Sequence, residues 1–388
     1  MTPEPTPHSL GSSHLVEIDS VAHLSEVLDA RSDLHDVVVQ GLDLTPFASA
    51  LTQRHLGGLV LIGCTIPQNL HAVLLEAGAV VFPALHDKPF ATCRHSLYSV
   101  DDLYGGFDPD DPGTYAQTFD ARVYRHWVDT GRSTGADIVE TLARRLHDHS
   151  MTDALAEFAQ GRRIAAVMGG HGLHRTTEQF AAVARISRAL SRRGITMASG
   201  GGPGAMEATH LGAYLAPMPD EALSEALGLL AVAPYFDPAD LWLAAAFRVR
   251  HQLASAATGP EVHSIAIPTW LYGHEPPNAF ASHVAKYFAN SVREDGLVTI
   301  ATHGIVFTPG SAGTVQEVFQ DATQNHYETV GEPSPMVFLG RRFWTRDVPV
   351  IDVLRAVGAG RRWLDLIVIT DDEQEAIEAI ADHSRDAT

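Results

Sequence analysis

Two glycine-rich stretches hold the residues best suited to chemistry. The first is Gly200-Gly201-Gly202-Pro203-Gly204-Ala205-Met206-Glu207, which follows a strand-like apolar run and opens a helical one. Glycine tolerates positive φ and lets a ligand approach the main chain closely. A helix start adds N–H groups without partners and the positive end of the helix dipole, so such a turn attracts phosphate. Without a ligand, the same residues make a tight strand-to-helix turn with Pro203 in the first helical turn. The second stretch, Pro309-Gly310-Ser311-Ala312-Gly313-Thr314-Val315-Gln316-Glu317, repeats the arrangement. Here Thr314 and Glu317 stand in the S/T-x-x-E relation of a capping box, which gives Glu317 a structural alternative to chemistry. Two such turns on one parallel sheet open where the carboxyl ends of the strands form a ligand crevice. The expected chemistry is capture of a small phosphorylated ligand on main-chain amides, with a carboxylate close by.

Other chemistries fit less well. A dinucleotide fingerprint belongs on the first strand–helix turn, with an acid ending the second strand. The first turn here reads Gly169-Gly170-His171-Gly172-Leu173-His174, and the second strand ends in Ser199. Neither glycine loop is followed by the lysine of a Walker-type loop. Pyridoxal phosphate chemistry needs a lysine for its Schiff base. The only two lysines, Lys88 and Lys286, lie outside any recognisable cofactor loop. His171, His174, His303 and His326 show no metal spacing such as HExxH, so no metal and no cofactor are expected. Gly170 and His171, in the first strand–helix turn, stay as candidate ligand contacts.

These loops need a sheet to position them. From Arg163 onward, short aliphatic runs alternate with helical periodicity, the pattern of an α/β fold with a Rossmann-like open parallel sheet and helices on both faces. Strands are expected at Ile164–Met168, Ile195–Ser199, Val262–Ile267, Gly304–Thr308, Met336–Leu339 and Leu366–Thr370. Helices are expected at Thr177–Arg192, Ala205–Leu215, Ala279–Val292, Val315–His326, Asp347–Val357 and Glu373–Ala381. Residues 219–259 interrupt this alternation and predict a helical hairpin, Asp220–Ala231 and Pro238–Ala257. The second of these helices is apolar around Leu241, Trp242, Leu243 and Phe247 and needs a covering surface, for which a second subunit is one candidate. The division expected is a disordered tail at 1–13, a smaller α+β accessory domain at 14–155 and the α/β domain that carries both glycine loops at 156–388. The accessory domain has strands around Val37–Val39, Leu59–Ile62 and Val80–Phe82, then helix from Ile138 to Phe158, and carries no catalytic motif.

Composition narrows the partners. A length of 388 residues exceeds one average domain. The net charge of −20 disfavours nucleic-acid polymers, whose binding rests on neutralising phosphates with basic groups. No apolar run approaches the roughly 20 residues of a membrane-spanning helix, and the N-terminus lacks the basic and apolar regions of a signal peptide. Two cysteines, Cys64 and Cys93, are too few for a disulfide scaffold, so a cytoplasmic location is expected.

The sequence resembles the LOG family, cytokinin-activating phosphoribohydrolases long mislabelled lysine decarboxylases. The family's PGGxGTxxE motif is matched by Pro309-Gly310, Gly313-Thr314 and Glu317. It departs at Ser311, where the family has a second glycine, and at Gln316, where an acid is common. Gly200 to Ala208 (GGGPGAMEA), Gly169-Gly170-His171 and Glu275-Pro276-Pro277-Asn278 are similar to the bacterial pyrimidine/purine nucleotide 5′-monophosphate nucleosidases. The likeness runs from Arg163 to Asp371 and leaves the N-terminal region and the insertion unsupported.

The resemblance implies hydrolysis of the N-glycosidic bond of nucleoside 5′-monophosphates to free base and ribose 5-phosphate, by a homo-oligomer of at least two chains. It implies Glu317 and Arg293 as catalytic residues and Gly310, Ser311, Ala312, Gly313 and Thr314 as the phosphate cradle. Gly201, Gly202 and Gly204 would meet the nucleotide, with Glu207 as a second ribose contact and Gly170 and His171 beside them. The alternative is a nucleotide-sensing protein of the same fold that does not cleave its ligand, for which Ser311 and Gln316 would be the marks. A third reading makes the N-terminal region the active part and the α/β domain an assembly platform.

Overall fold

The computed structural model describes residues 15–85, 87–256 and 259–383. The tail expected at 1–13, and Ala257 at the expected end of the second insertion helix, lie outside them. Two compact units form, Met1–His95 and Ser96–Thr388.

The first unit holds four parallel strands, β1 (Val16–Ile18), β2 (Val37–Gln40), β3 (Val60–Cys64) and β4 (Val80–Pro83), paired in chain order. Its core joins Val37, Val39, Leu59 and Leu61 to Leu24 and Leu28 of the helix Val21–Ala30 and to Leu70 and Leu74 of the helix Gln68–Glu76.

The second unit is built on a seven-stranded sheet. Its strands are β5 (Ile164–Met168), β6 (Thr196–Ser199), β7 (Ser264–Ala266), β8 (His283–Val284), β9 (Ile305–Phe307), β10 (Met336–Leu339) and β11 (Ile367–Thr370), in the order β11-β10-β9-β5-β6-β7-β8, every pair parallel. Ala165, Ala166, Ile265, Ile305 and Val337 are wholly buried, as strands covered by helices on both faces must be. The chain runs outward from β5 through β8, then returns to β9 on the other side of β5. The loops leaving β5 and β9 therefore part at the switch point where open α/β sheets bind ligands. Among the described residues no helix is long and apolar enough to cross a membrane.

The six expected strands of this sheet stand at their positions, but three other expectations change. No helix covers 279–289 of the stretch expected to be helical at 279–292. Residues there instead form β8 and a buried turn, and helix begins only at Asn290–Ile300. Distant groups take the main-chain donors of this stretch: Val284 N–H donates to Tyr98 O at 2.7 Å, and Phe288 and Ala289 N–H each donate to the Asp148 carboxylate at 2.8 Å. Lys286 is fully buried and paired with Asp120.

Those partners also move the domain boundary. Residues 96–155 do not belong to an accessory domain that ends at 155, because the division falls after His95. Asp120 lies in the helix Phe119–Asp129 and Asp148 in the helix Ile138–Ala159, and both are anchored on the α/β sheet unit.

The insertion forms the expected helical pair, Glu221–Leu230 and Ala239–Leu253. Trp242, Leu243 and Phe247 are covered from within the chain, whereas Leu241 stays 51% exposed. Arg175 lies 4.9 Å above the Trp242 ring, and Phe247 packs against Tyr104 and Phe107 at 5.9 and 5.1 Å.

Candidate functional site

A cleft of ≈ 250 Å³ opens at the carboxyl ends of β5, β6 and β9, between the three strand–helix turns. Gly170 stitches these turns together. Its N–H donates to Pro309 O at 3.3 Å, and its carbonyl accepts from Ala205 N–H at 3.2 Å. Gly204, at φ +70°, has to be glycine: a Cβ there would lie 2.4 Å from Gly170 O.

The helix Ala312–Tyr327 supplies the far wall. Ser311 is its N-cap but makes no side-chain capping bond, and Val315 N–H is the first to reach a carbonyl of the turn, Ser311 O, at 3.1 Å. The N–H groups of Ala312, Gly313 and Thr314 thus have no carbonyl of their own helix to bond. Because the cap is Ser311, Thr314 and Glu317 sit inside the helix and the capping box read from their spacing does not form. The structural employment proposed for Glu317 disappears, and its carboxyl lines the cleft.

Glu317 is enclosed, its side chain 14% exposed. Burial pushes its carboxyl up to about 7; Arg293 opposes the shift and Glu294 adds to it. Arg293 Nη1 lies 3.8 Å from Glu317 Oε1. Arg293 projects from the helix Asn290–Ile300, and its Nε donates to Ile267 O at 2.7 Å. The guanidinium lies close against Gly200, where a Cβ would stand 2.1 Å from Nη2. The first glycine loop therefore makes room for the arginine that faces the second loop's acid.

Other expected site residues divide. Gly170, His171, Gly202, Ser311, Gly313 and Thr314 line the cleft. Gly201 does not: its carbonyl accepts from both Asn278 N–H and Asn278 Nδ2 at 2.8 Å, and its Cα packs toward Ala266 and Pro268. Gly204 lines a neighbouring recess. Gly310 and Ala312 shape the turn without being among the lining residues.

Glu207, expected at the ribose, is committed elsewhere. Its carboxylate takes two hydrogen bonds from Arg175 and a third, at 3.1 Å, from Trp242 Nε1, and both ionic side chains are 1% exposed. With three hydrogen bonds accepted in a buried bidentate pair, Glu207 is held by the fold and does not line the cleft. Among the described residues no cluster of three or more His, Cys, Asp or Glu is arranged to hold a metal ion.

Glu275 is the residue that sequence reasoning missed. It lines the cleft with its side chain 16% exposed, its Oε1 3.9 Å from His171 Nδ1 and 3.8 Å from His274 Nε2. The tetrapeptide Glu275-Pro276-Pro277-Asn278 served as a mark of likeness, not as a source of a carboxylate. Its prolines hold the segment out of helix, while Tyr104 Oη donates to Pro277 O at 2.6 Å and Asn278 grips Gly201. Thr269 and Tyr272 complete that wall.

No family model matches the chain, and no curated protein does.

Chemically, the cleft combines unpaired amides at a helix start, one arginine, and three carboxyls, Glu275, Glu294 and Glu317, the last with its pKa raised into the neutral range. The amides and the arginine suit an anionic group. A carboxyl tuned near neutrality suits proton transfer or stabilisation of a developing cation.

Proposed function

We propose that the chain hydrolyses nucleoside 5′-monophosphates at the N-glycosidic bond, releasing free base and ribose 5-phosphate. One observation carries the reading most directly: the enclosed Glu317 carboxyl and the Arg293 guanidinium stand 3.8 Å apart at the rim of the same helix start. In this reading the 5′-phosphate sits on the N–H groups from Gly310 to Thr314 and on the Thr314 hydroxyl. Arg293 orients the phosphate. As the C–N bond breaks, its electron pair leaves with the base, and the ribose acquires oxocarbenium character that a carboxylate stabilises. Ionised Glu317 takes a proton from the water that adds to the anomeric carbon, and the base departs with a proton in exchange. Incubation with AMP, CMP, GMP and UMP should release base and ribose 5-phosphate in equal amounts. Release from none of them ends the proposal.

A nucleotide sensor that does not cleave is the second reading. It draws on Gln316, whose Nε2 donates to Glu294 Oε2 at 2.9 Å where an acid is common in the resembled family. Calorimetric binding of AMP without release of base would favour it. The resemblance also implies a homo-oligomer. Ile138, 83% exposed, and the half-exposed Val139 and Leu142 at the start of their helix offer an apolar face for a second copy, and light scattering of the purified chain tests this. The free thiols of Cys64 and Cys93 suit a reducing compartment, and we place the reaction in the cytoplasm.

A further inference from the structure

Beside the cleft lies a second concavity, of ≈ 340 Å³, where His171, Gly204 and Glu207 of the glycine turns meet Tyr235, Phe236 and Trp242, which belong to no sequence motif. It is built by the turn after β5, the start of the helix Ala205–Tyr214, and the linker between the two insertion helices. Arg175 locks these parts together: its main-chain N–H donates to Pro234 O at 3.2 Å, and its Nη1 to Ala233 O at 3.1 Å. His171 lines both hollows, so the recess and the cleft adjoin across its ring.

The recess wall is aromatic. Phe236 meets the His171 ring edge-on at 5.9 Å, Tyr235 meets His174 at 4.1 Å, and Trp242 closes the floor. Tyr235 is 55% exposed and His171 about half exposed, although aromatic groups of this size ordinarily pack inward. The polar groups of the floor are already spent: Arg175 and Glu207 bind each other, and Arg175 also serves Ala233 O and Trp242 O. What the floor offers a ligand is therefore ring faces, while Asp237 and the His171 and His174 rings at the rim remain available to its edge.

We infer that this recess holds the planar base of the nucleotide whose phosphate and ribose occupy the adjoining cleft, and that it grips the base by stacking. The inference rests on the proposed function and adds to it the place and manner of base recognition. A stacking site tolerates different hydrogen-bonding edges, because every base has a π-face. A site built on hydrogen bonds to the base would instead reject analogues lacking the matching groups by about 10⁴-fold or more. Purines, with the larger ring face, should be preferred to pyrimidines, and AMP, GMP and IMP should agree in kcat/KM to within about tenfold.

The test compares AMP with ribose 5-phosphate on wild type, Phe236→Ala, Tyr235→Ala and Phe236→Trp. The alanine variants should raise KM for AMP about tenfold or more while leaving inhibition by ribose 5-phosphate unchanged, since that ligand has no base; Phe236→Trp should restore KM. Unchanged KM in both alanine variants overturns the inference, as does a parallel loss of ribose 5-phosphate inhibition. If wild type releases no base at all, the proposed reaction fails separately. Calorimetry then decides the recess: AMP must bind more tightly than ribose 5-phosphate and lose that advantage in Phe236→Ala, and equal affinities in wild type overturn it.

Discussion

Arg293 Nη1 and Glu317 Oε1 face each other across 3.8 Å, close enough for strong attraction and too far for a hydrogen bond. The arginine is held by Ile267 O and by the bare surface of Gly200. The acid stands on a helix whose first N–H groups remain open. Each group is thus fixed by something other than its opposite, and a ligand entering between them meets both.

Replacing Glu317 tests the role most directly. Glu317→Gln should keep the fold and lower turnover by about two to four orders of magnitude, read as base released per enzyme. Base release near the wild-type rate would remove Glu317 from the reaction.

The acid's raised pKa gives a pH signature. If ionised Glu317 accepts the proton from water, kcat/KM must rise with pH through about 7, where the buried carboxyl ionises. The inflection should vanish in Glu317→Gln. A profile falling over that range would mean that the neutral acid is the working form.

Gly200→Ala probes the support of Arg293. The added methyl meets the guanidinium and, at 2.8 Å, the Met206 sulfur, so the arginine must swing away. Turnover should fall by about tenfold or more. The pH inflection should also move upward, because Arg293 no longer holds the Glu317 carboxyl down. An unmoved inflection would show that the two side chains are not coupled.

Glu207 and Arg175 make the opposite kind of pair, one that serves the fold. Arg175→Ala strands a buried carboxylate and should cost about 3–5 kcal/mol in urea unfolding, and Arg175→Met with Glu207→Leu should recover most of it. A Glu207→Ala variant as stable as wild type but inactive would return Glu207 to the ligand.

Asp321 offers a readout independent of catalysis. One turn beyond Glu317, it is 3% exposed, its Oδ2 lacks a partner, and burial pushes its carboxyl up to about 8. A carboxyl whose folded pKa exceeds its unfolded value binds more protons in the folded state. Its contribution is fully present below the unfolded pKa near 3.8 and is lost as pH rises through about 8. Asp321→Asn should therefore flatten the fall of the thermal midpoint across that window; an unchanged slope would place the proton elsewhere.

The sheet was legible because parallel strands covered on both faces are written as short, unbroken apolar runs, such as Ile164-Ala165-Ala166-Val167-Met168. The glycine turns were legible for a similar reason, since positive φ and close main-chain approach demand the residue itself. Segment 279–292 misled, because an apolar stretch buried by distant hydrogen bonds has no helical period to distinguish it.

By itself, the amino-acid order determined nine of the eleven strands, all but the short β1 and β8, where chain reversals need glycine, and that two helix starts point toward one crevice. Tertiary structure alone decided that Ser311 and not Thr314 caps the helix, that Glu207 is spent on Arg175, and that Glu275 reaches the cleft. Backbone propensity acts over a few neighbouring residues. Desolvation and the choice of partner for a charged side chain depend on groups that folding brings from far along the chain.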